Sequence, residues 1–349
     1  MWRTLTSTIE YTTSLIVNHV LVPKNKGKLD RDKLEAFVST FPKDTPEAFF
    51  KNTEPGRMPA NWLQLNPQTG SYIKGSFSFF SDLPSGNDKN DLVKGVSYLH
   101  PSYKHGKHII LLNGWLTPSH FQSKQVAREL LKYGVSTHMM ELPYHMDRAP
   151  KGTFSGTGLI HPDISILFNG MRQGVSDARK LLRGLRSMGI ADVGLMGFSL
   201  GGYTAGVVSS LEPRLDSLTM VAPLTDLGNT LLCSPLVKTI RNMMTTVSPE
   251  RIRHLFEPFR LENYQPQLCN SRILLVNPLN DKVVFPHKVR EVWEAWDKPQ
   301  IIEPKHGHVS LFLSSSAFKG IVAELAHPLK KQSLYERYRP SFFLSSSSS

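Results

Sequence analysis

Two cysteines, Cys233 and Cys269, are all that this 349-residue chain contains, in neither a CxxC pair nor a metal-ligand spacing. That excludes a disulfide scaffold and a structural zinc site as the basis of the fold. Both thiols are expected to be reduced and partly buried. Long apolar runs are missing too. A membrane-spanning helix needs about 18 or more consecutive apolar residues, and the candidate near the start, YTTSLIVNHVLVP, is shorter and more polar. Glu10 precedes it and no small-x-small site follows, so the plan of a signal peptide is absent. The expectation is a soluble, cytoplasmic protein.

Acidic residues are in deficit: 29 Asp and Glu stand against 41 Lys and Arg, for a net charge of +12. Such a balance suits anionic partners, and peripheral contact with an anionic membrane is compatible with it. The basic residues are scattered, however, and no RNP, zipper or finger spacing is present. No nucleic-acid partner is therefore expected. Arg172, Arg179, Arg183 and Arg186 recur at helical spacing and read as a solvated helix face. Nothing in the sequence sets an oligomeric state.

What the chain does have is alternation. Residues 1–65 read as an extension with two short helices, LDRDKLEAFVSTF and TPEAFFKN, and a turn-rich exit. Residues 66–330 follow a different rule. YIKGSFSFF and VSYLHPSY suggest an antiparallel hairpin; then KHIILLNG, VSTHMMELPY, ADVGLMGFS, LDSLTMVAPL, SRILLVNPLND and KPQIIEPKH are apolar runs of strand length. Amphipathic stretches separate most of them. Near-continuous apolar strands alternating with helices predict a mostly parallel, eight-stranded sheet covered on both faces, a three-layer α/β domain. After the sixth strand the connection is unusually long, and residues 227–268 read as a helical cap. The tail, 331–349, ends in FFLSSSSS and reads as disordered.

One turn carries chemistry. Gly197-Phe198-Ser199-Leu200-Gly201 ends a strand-like run and opens the small-residue helix LGGYTAGVV. A strand-to-helix turn makes this pattern a nucleophile elbow, in which the serine sits on a sharp bend and glycines two positions either side avoid collision. With this motif, ELPYHMDRAP and GHVSLF, the chain resembles the α/β-hydrolase superfamily over about residues 70–330. Within it, the resemblance extends to a little-characterised branch, the α/β-hydrolase-domain-containing proteins numbered eighteen.

The resemblance implies an acid and then a histidine after Ser199, each beyond the end of a late strand. Asp281 is the first carboxylate after LLVNPLN, and His308 follows Gly307 before a helix. Asp226, after the sixth strand, is the alternative acid, and His306 the alternative base. Pro278 and the long DKVVFP segment depart from the superfamily's usual acid loop, which leaves the acid's position open. The backbone N–H groups of Leu200 and Trp115 would form the oxyanion hole, with Asn113 where a histidine is usual. No metal or cofactor is implied.

Other residues have plainer readings beside functional ones. Tyr144, His145 and Asp147 could contact substrate but suit a rigid turn between Pro143 and Pro150, and His120 suits a helix start. In the cap, the stripe including Leu231, Leu236, Val237, Ile240 and Met243 is either core packing or one wall of a ligand groove. If it faces Ser199, the substrate is a hydrophobic acyl ester. Two functions follow: a serine hydrolase cleaving carboxylic esters through an acyl-serine intermediate, or a non-catalytic scaffold that binds a partner or an anionic lipid surface.

Overall fold

The computed structural model describes residues 2–18, 27–41, 45–51, 54–68 and 70–325. The expected disordered tail, 331–349, lies outside the described residues. Nine strands form one sheet among the described residues: β1 (Leu63–Leu65), β2 (Ile73–Phe80), β3 (Leu92–Leu99), β4 (Lys107–Leu112), β5 (Ser136–Met140), β6 (Asp192–Phe198), β7 (Ser217–Val221), β8 (Ile273–Val276) and β9 (Gln300–Ile302). Their order is β1-β2-β3-β5-β4-β6-β7-β8-β9. The β1, β2, β3 and β5 neighbours pair antiparallel, and every pair from β5-β4 to β8-β9 is parallel.

The sheet has one strand more than the sequence predicts. The extra one is β1, three half-exposed or exposed residues that pair with the edge of β2. Nothing in its own pattern marks it as a strand; the unpaired N–H and C=O groups of its neighbour select it.

The helices, in chain order, are α1 (Trp2–Ile16), α2 (Arg31–Ser39), α3 (Pro46–Lys51), α4 (Asp88–Asp91), α5 (Phe121–Leu131) and α6 (Ser165–Ser187). After them come α7 (Leu200–Leu211), α8 (Leu227–Cys233), α9 (Lys238–Met243), α10 (Pro249–Phe256), α11 (Pro286–Ala295) and α12 (His308–Leu313). Alternation along β4 shows how the layers form. Ile110 and Leu112 belong to the core under α6, α7 and α11, while Ile109 and Leu111 join the core under α5 and the helical residues 315–325. Strands buried on both faces are largely apolar, as β4, β6, β7 and β8 are, whereas β5 carries the buried polar residues Ser136, Thr137 and His138 before Met139 and Met140.

Two expectations are corrected by packing. The arginines of α6 are not a solvated face: Arg179 is buried, its Nε 2.7 Å from Glu212 Oε1, and Arg183 pairs with Glu54 and Glu212. Helices α2, α3 and α7 lie against α6 and leave it little free surface. The cysteines are exposed rather than partly buried, both as free thiols. Among the described residues, no helix is long and apolar enough to cross a membrane.

Between β7 and β8 stand α8, α9 and α10 with several 3-10 turns. The N-terminal segment is stitched to this insertion. Ser14 Oγ and Asn18 Nδ2 donate to Pro235 O at 2.7 and 2.9 Å, Leu29 N donates to Met243 O at 2.8 Å, and Thr239 N donates to Asn18 Oδ1 at 2.8 Å.

Candidate active site

In a parallel α/β sheet, ligands bind beyond the carboxyl ends of the strands. Four such ends converge here. The end of β4 delivers Asn113-Gly114-Trp115, β6 delivers Ser199, and the loops after β8 and β9 deliver Asp281 and His308.

Ser199 sits between β6 and α7 with φ 50° and ψ −111°. Positive φ strains any residue with a Cβ, at a cost of about 1–3 kcal/mol, and persists only where the surroundings fix it. They do so here: Ser199 N donates to Val221 O at 3.0 Å, and Ser199 O accepts from Tyr203 N and Leu224 N, each at 3.0 Å. The flanking glycines are required by space. A Cβ on Gly197 would stand 2.1 Å from Gly201 O, and one on Gly201 would stand 2.4 Å from Leu112 O.

His308 Nε2 lies 3.1 Å from Ser199 Oγ, and its Nδ1 lies 2.7 Å from Asp281 Oδ2. The other oxygen, Asp281 Oδ1, accepts from Val283 N and Val284 N at 2.8 Å each. A carboxylate on Nδ1 fixes that nitrogen as the protonated one, leaving Nε2 to accept from the serine hydroxyl. Burial pulls the His308 pKa down, but the charge and hydrogen bond of Asp281, with a contribution from Glu10, outweigh it and hold it above the ordinary 6.5. The edge of Phe312 closes on the imidazole, with ring centroids 5.4 Å apart.

The alternatives lie elsewhere. Asp226 caps α8, accepting from Asn229 N at 2.8 Å, and faces Lys288 and Arg260. His306 lines a separate cleft with Glu303 and Glu324. His120 Nε2 is 3.2 Å from Glu141 Oε1, and His145 is fully buried with Nδ1 2.8 Å from Pro143 O. Asp147 is exposed, so Tyr144-His145-Met146-Asp147 builds a rigid turn.

Leu200 opens α7, where the first N–H groups of a helix have no intrahelical acceptor. Trp115 lines the same cavity as Ser199, and its indole Nε1 donates to Gly156 O at 3.0 Å. Asn113 ties this turn to the sheet: its Oδ1 accepts from Leu142 N at 3.0 Å and its Nδ2 donates to Gly114 O at 2.9 Å.

Ser199 and His308 open onto a cavity of about 330 Å³. Its walls are chiefly aliphatic. Leu231, Leu236, Val237, Ile240, Met243 and Met244 of the insertion line it, whereas Leu255 and Phe256 pack into the core instead. Sequence reasoning missed Val17 and Leu29, which line it from the N-terminal segment. Val17 sits in an apolar run and Leu29 stands alone among polar residues, and neither pattern distinguishes a cavity wall from ordinary packing.

Residues 95–231 match the family described as "Alpha/beta hydrolase domain containing 18". Two uncharacterised proteins from strains of Mycobacterium tuberculosis are each 32% identical over 198 residues, which is 55% of this chain and 46% of theirs; the match thus spans about half their length. Among solved structures, acetyl xylan esterase 1 from Thermoanaerobacterium sp. is similar with a TM-score of 0.58 at 16% identity, covering 87% of this chain and 95% of that one. A Pyrococcus furiosus esterase has a TM-score of 0.51 at 18% identity, covering 80% of this chain and 99% of its own.

Proposed function

We propose that the chain, whose residues 95–231 match an α/β-hydrolase family and whose fold resembles that of esterases, is a serine hydrolase that cleaves carboxylic esters of hydrophobic acyl groups. The observation that carries this reading is the continuous hydrogen-bonded series from Asp281 through His308 to Ser199, ending at the mouth of an apolar cavity. Pockets of about 300–1,000 Å³ suit small organic ligands, and a chiefly aliphatic wall favours an acyl chain over a polar group.

Ser199 Oγ attacks the ester carbonyl carbon while its proton passes to His308 Nε2. Asp281 keeps the imidazole oriented and stabilises its positive charge. The carbonyl oxygen becomes an oxyanion and accepts from the N–H groups of Leu200 and Trp115. Collapse of this intermediate breaks the carbon–oxygen bond, and the leaving alkoxide takes the proton from Nε2. Water then attacks the acyl-serine, giving its proton to Nε2, and the proton returns to Ser199 Oγ as the carboxylic acid departs.

The test is covalent labelling with a fluorophosphonate, read by intact mass, together with turnover of p-nitrophenyl acyl esters. Labelling should disappear in Ser199→Ala and collapse in His308→Ala. A wild-type chain that neither labels nor turns over any ester of the series would overturn the proposal in favour of a binding scaffold.

A further inference from the structure

We propose that Glu10, on α1, is a positioning residue for His308: its carboxyl holds the first turn of α12 and stands beside the imidazole that gains charge in the reaction. The inference rests on the serine-hydrolase reading for the use of that charge, and on geometry for the contact itself.

A carboxyl group is costly to bury without partners, yet Glu10 is 4% exposed. Its Oε1 accepts from Val309 N at 2.7 Å. That N–H belongs to the first turn of α12, which has no intrahelical acceptor to offer it. Glu10 therefore fixes the turn that carries His308.

Gly307 borders the same carboxyl. Its φ of −93° and ψ of −176° are extended backbone that any residue adopts, so conformation does not call for glycine. Space does. The three atoms nearest a Cβ on Gly307 would all belong to Glu10, with Oε1 at 2.5 Å, Cδ at 3.0 Å and Cγ at 3.1 Å. The glycine before the histidine makes room for this carboxyl.

Helix α1 is held by contacts other than that of Glu10. It packs on α12 and is tied through Ser14 and Asn18 to Pro235 and Thr239 of the insertion. Three titratable groups interact at the junction: Glu10 from α1, Asp281 from the loop after β8 and His308 from α12. Burial, and then the nearby Asp281, push the Glu10 pKa up, while His308 pulls it down; reciprocally, Glu10 helps Asp281 to hold His308 up against burial.

Glu10→Gln is the informative change, because the amide oxygen still accepts from Val309 N while the charge is gone. The measurement is the titration of the His308 imidazole by NMR in the full chain, assigned by comparison with His308→Gln. The midpoint should fall by about 0.5 pH in Glu10→Gln and by less in Glu10→Asp. The acid limb of fluorophosphonate labelling should move to lower pH in step. Gly307→Ala should slow labelling strongly in the wild type and much less in a Glu10→Ala background, since truncation at position 10 removes the clashing atoms. An unmoved His308 midpoint in folded Glu10→Gln overturns the inference. Equal, additive losses for Gly307→Ala in both backgrounds overturn it as well. The NMR titration does not need the enzyme to turn over, so a chain that fails to label sinks the serine-hydrolase reading separately.

Discussion

Asn280 N donates to His306 O at 2.9 Å, and this bond ties the loop that carries Asp281 to the loop that carries His308. Two more bonds continue the zipper: Leu279 N to Pro304 O at 3.0 Å and Asn277 N to Ile302 O at 2.9 Å. They extend the β8-β9 pairing past the strand ends, so the loops that carry Asp281 and His308 are held together as one unit. Within this unit Asp281, two residues beyond Leu279, reaches Nδ1 of His308.

The two candidate acids should therefore separate cleanly. Asp281→Asn is expected to lower kcat by about three to four orders of magnitude, as loss of the tautomer-fixing acid does in serine proteases. Asp226→Ala removes an N-cap and should cost about 1 kcal/mol of stability while leaving ester turnover within about twofold. Steady-state kinetics and urea denaturation of both variants provide the check. A dead Asp226 variant beside an active Asp281 variant would reverse the assignment.

Gly201→Ala tests the elbow by sterics alone. The new methyl would stand 2.4 Å from Leu112 O and 2.6 Å from Asn113 O, both backbone atoms at the end of β4. Relief requires moving the strand end that leads into Trp115, so strain and loss of the oxyanion donor come together. Unfolding free energy should drop by about 1–3 kcal/mol, and labelling of Ser199 should fall far more than that loss explains. Labelling that stays at the wild-type rate would mean that the β4 turn has no part in the site.

How far these features were legible depends on the range of the forces that made them. β4, β6, β7 and β8 were visible because two covered faces favour apolar residues, β5 and β9 through the shorter apolar pairs Met139-Met140 and Ile301-Ile302, and the elbow because sterics wrote glycine into 197 and 201. β1 was not, since three residues gain strand geometry only from the edge of β2. Helix α1 was also invisible: its threonines at 4, 6, 8, 12 and 13 are β-branched and argue weakly against a helix. Glu10 was met only as a charge that spoils a signal peptide, because its partner Val309 lies 299 positions away. The cap stripe was ambiguous for a different reason. Periodicity marks a buried face and is silent on whether core or cavity lies behind it.

Acid should destabilise the fold through buried histidines outside the site. His108 Nε2 is 2.8 Å from Tyr103 O, His108 Nδ1 is 2.8 Å from His138 Nε2, and His138 Nδ1 is 2.8 Å from Ser97 Oγ. The carbonyl acceptor forces one neutral tautomer along this series, each ring donating through Nε2 and accepting through Nδ1. Burial lowers both pKa values, and it lowers that of buried His145 to about 4. The unfolded chain thus takes up these protons near the ordinary 6.5 while the folded chain does not. The resulting stability is fully present above 6.5 and is lost as pH falls toward 4. His308, held up instead, contributes with the opposite sign: its stability is present below the unfolded value and lost as pH rises through the folded one. Urea midpoints between pH 7 and pH 5, an interval chosen as roughly spanning histidine titration, should fall in the wild type and fall less steeply in His138→Asn. Converted to unfolding free energy, the difference in slope should approach about 1.4 kcal/mol per pH for one proton. Parallel slopes would remove His138 from the account.

The cavity makes the most direct statement about substrate, and chain length can read it. Val237 is buried and, from the turn Pro235–Val237, lines the cavity onto which Ser199 opens. Phenylalanine there takes up part of a cavity of about 330 Å³ from the wall of the insertion. In an apolar pocket each methylene gained or lost changes kcat/KM by about tenfold or more, so the loss in Val237→Phe should grow with acyl length. Acetate and butyrate esters should turn over within about threefold of wild type, while decanoate and longer esters should lose more than about tenfold, mostly in KM. A loss that is uniform across the series would have another meaning. Bulk at position 237 would then act on the whole site, and the acyl group would lie on the opposite side of Ser199, leaving the cavity to the alcohol.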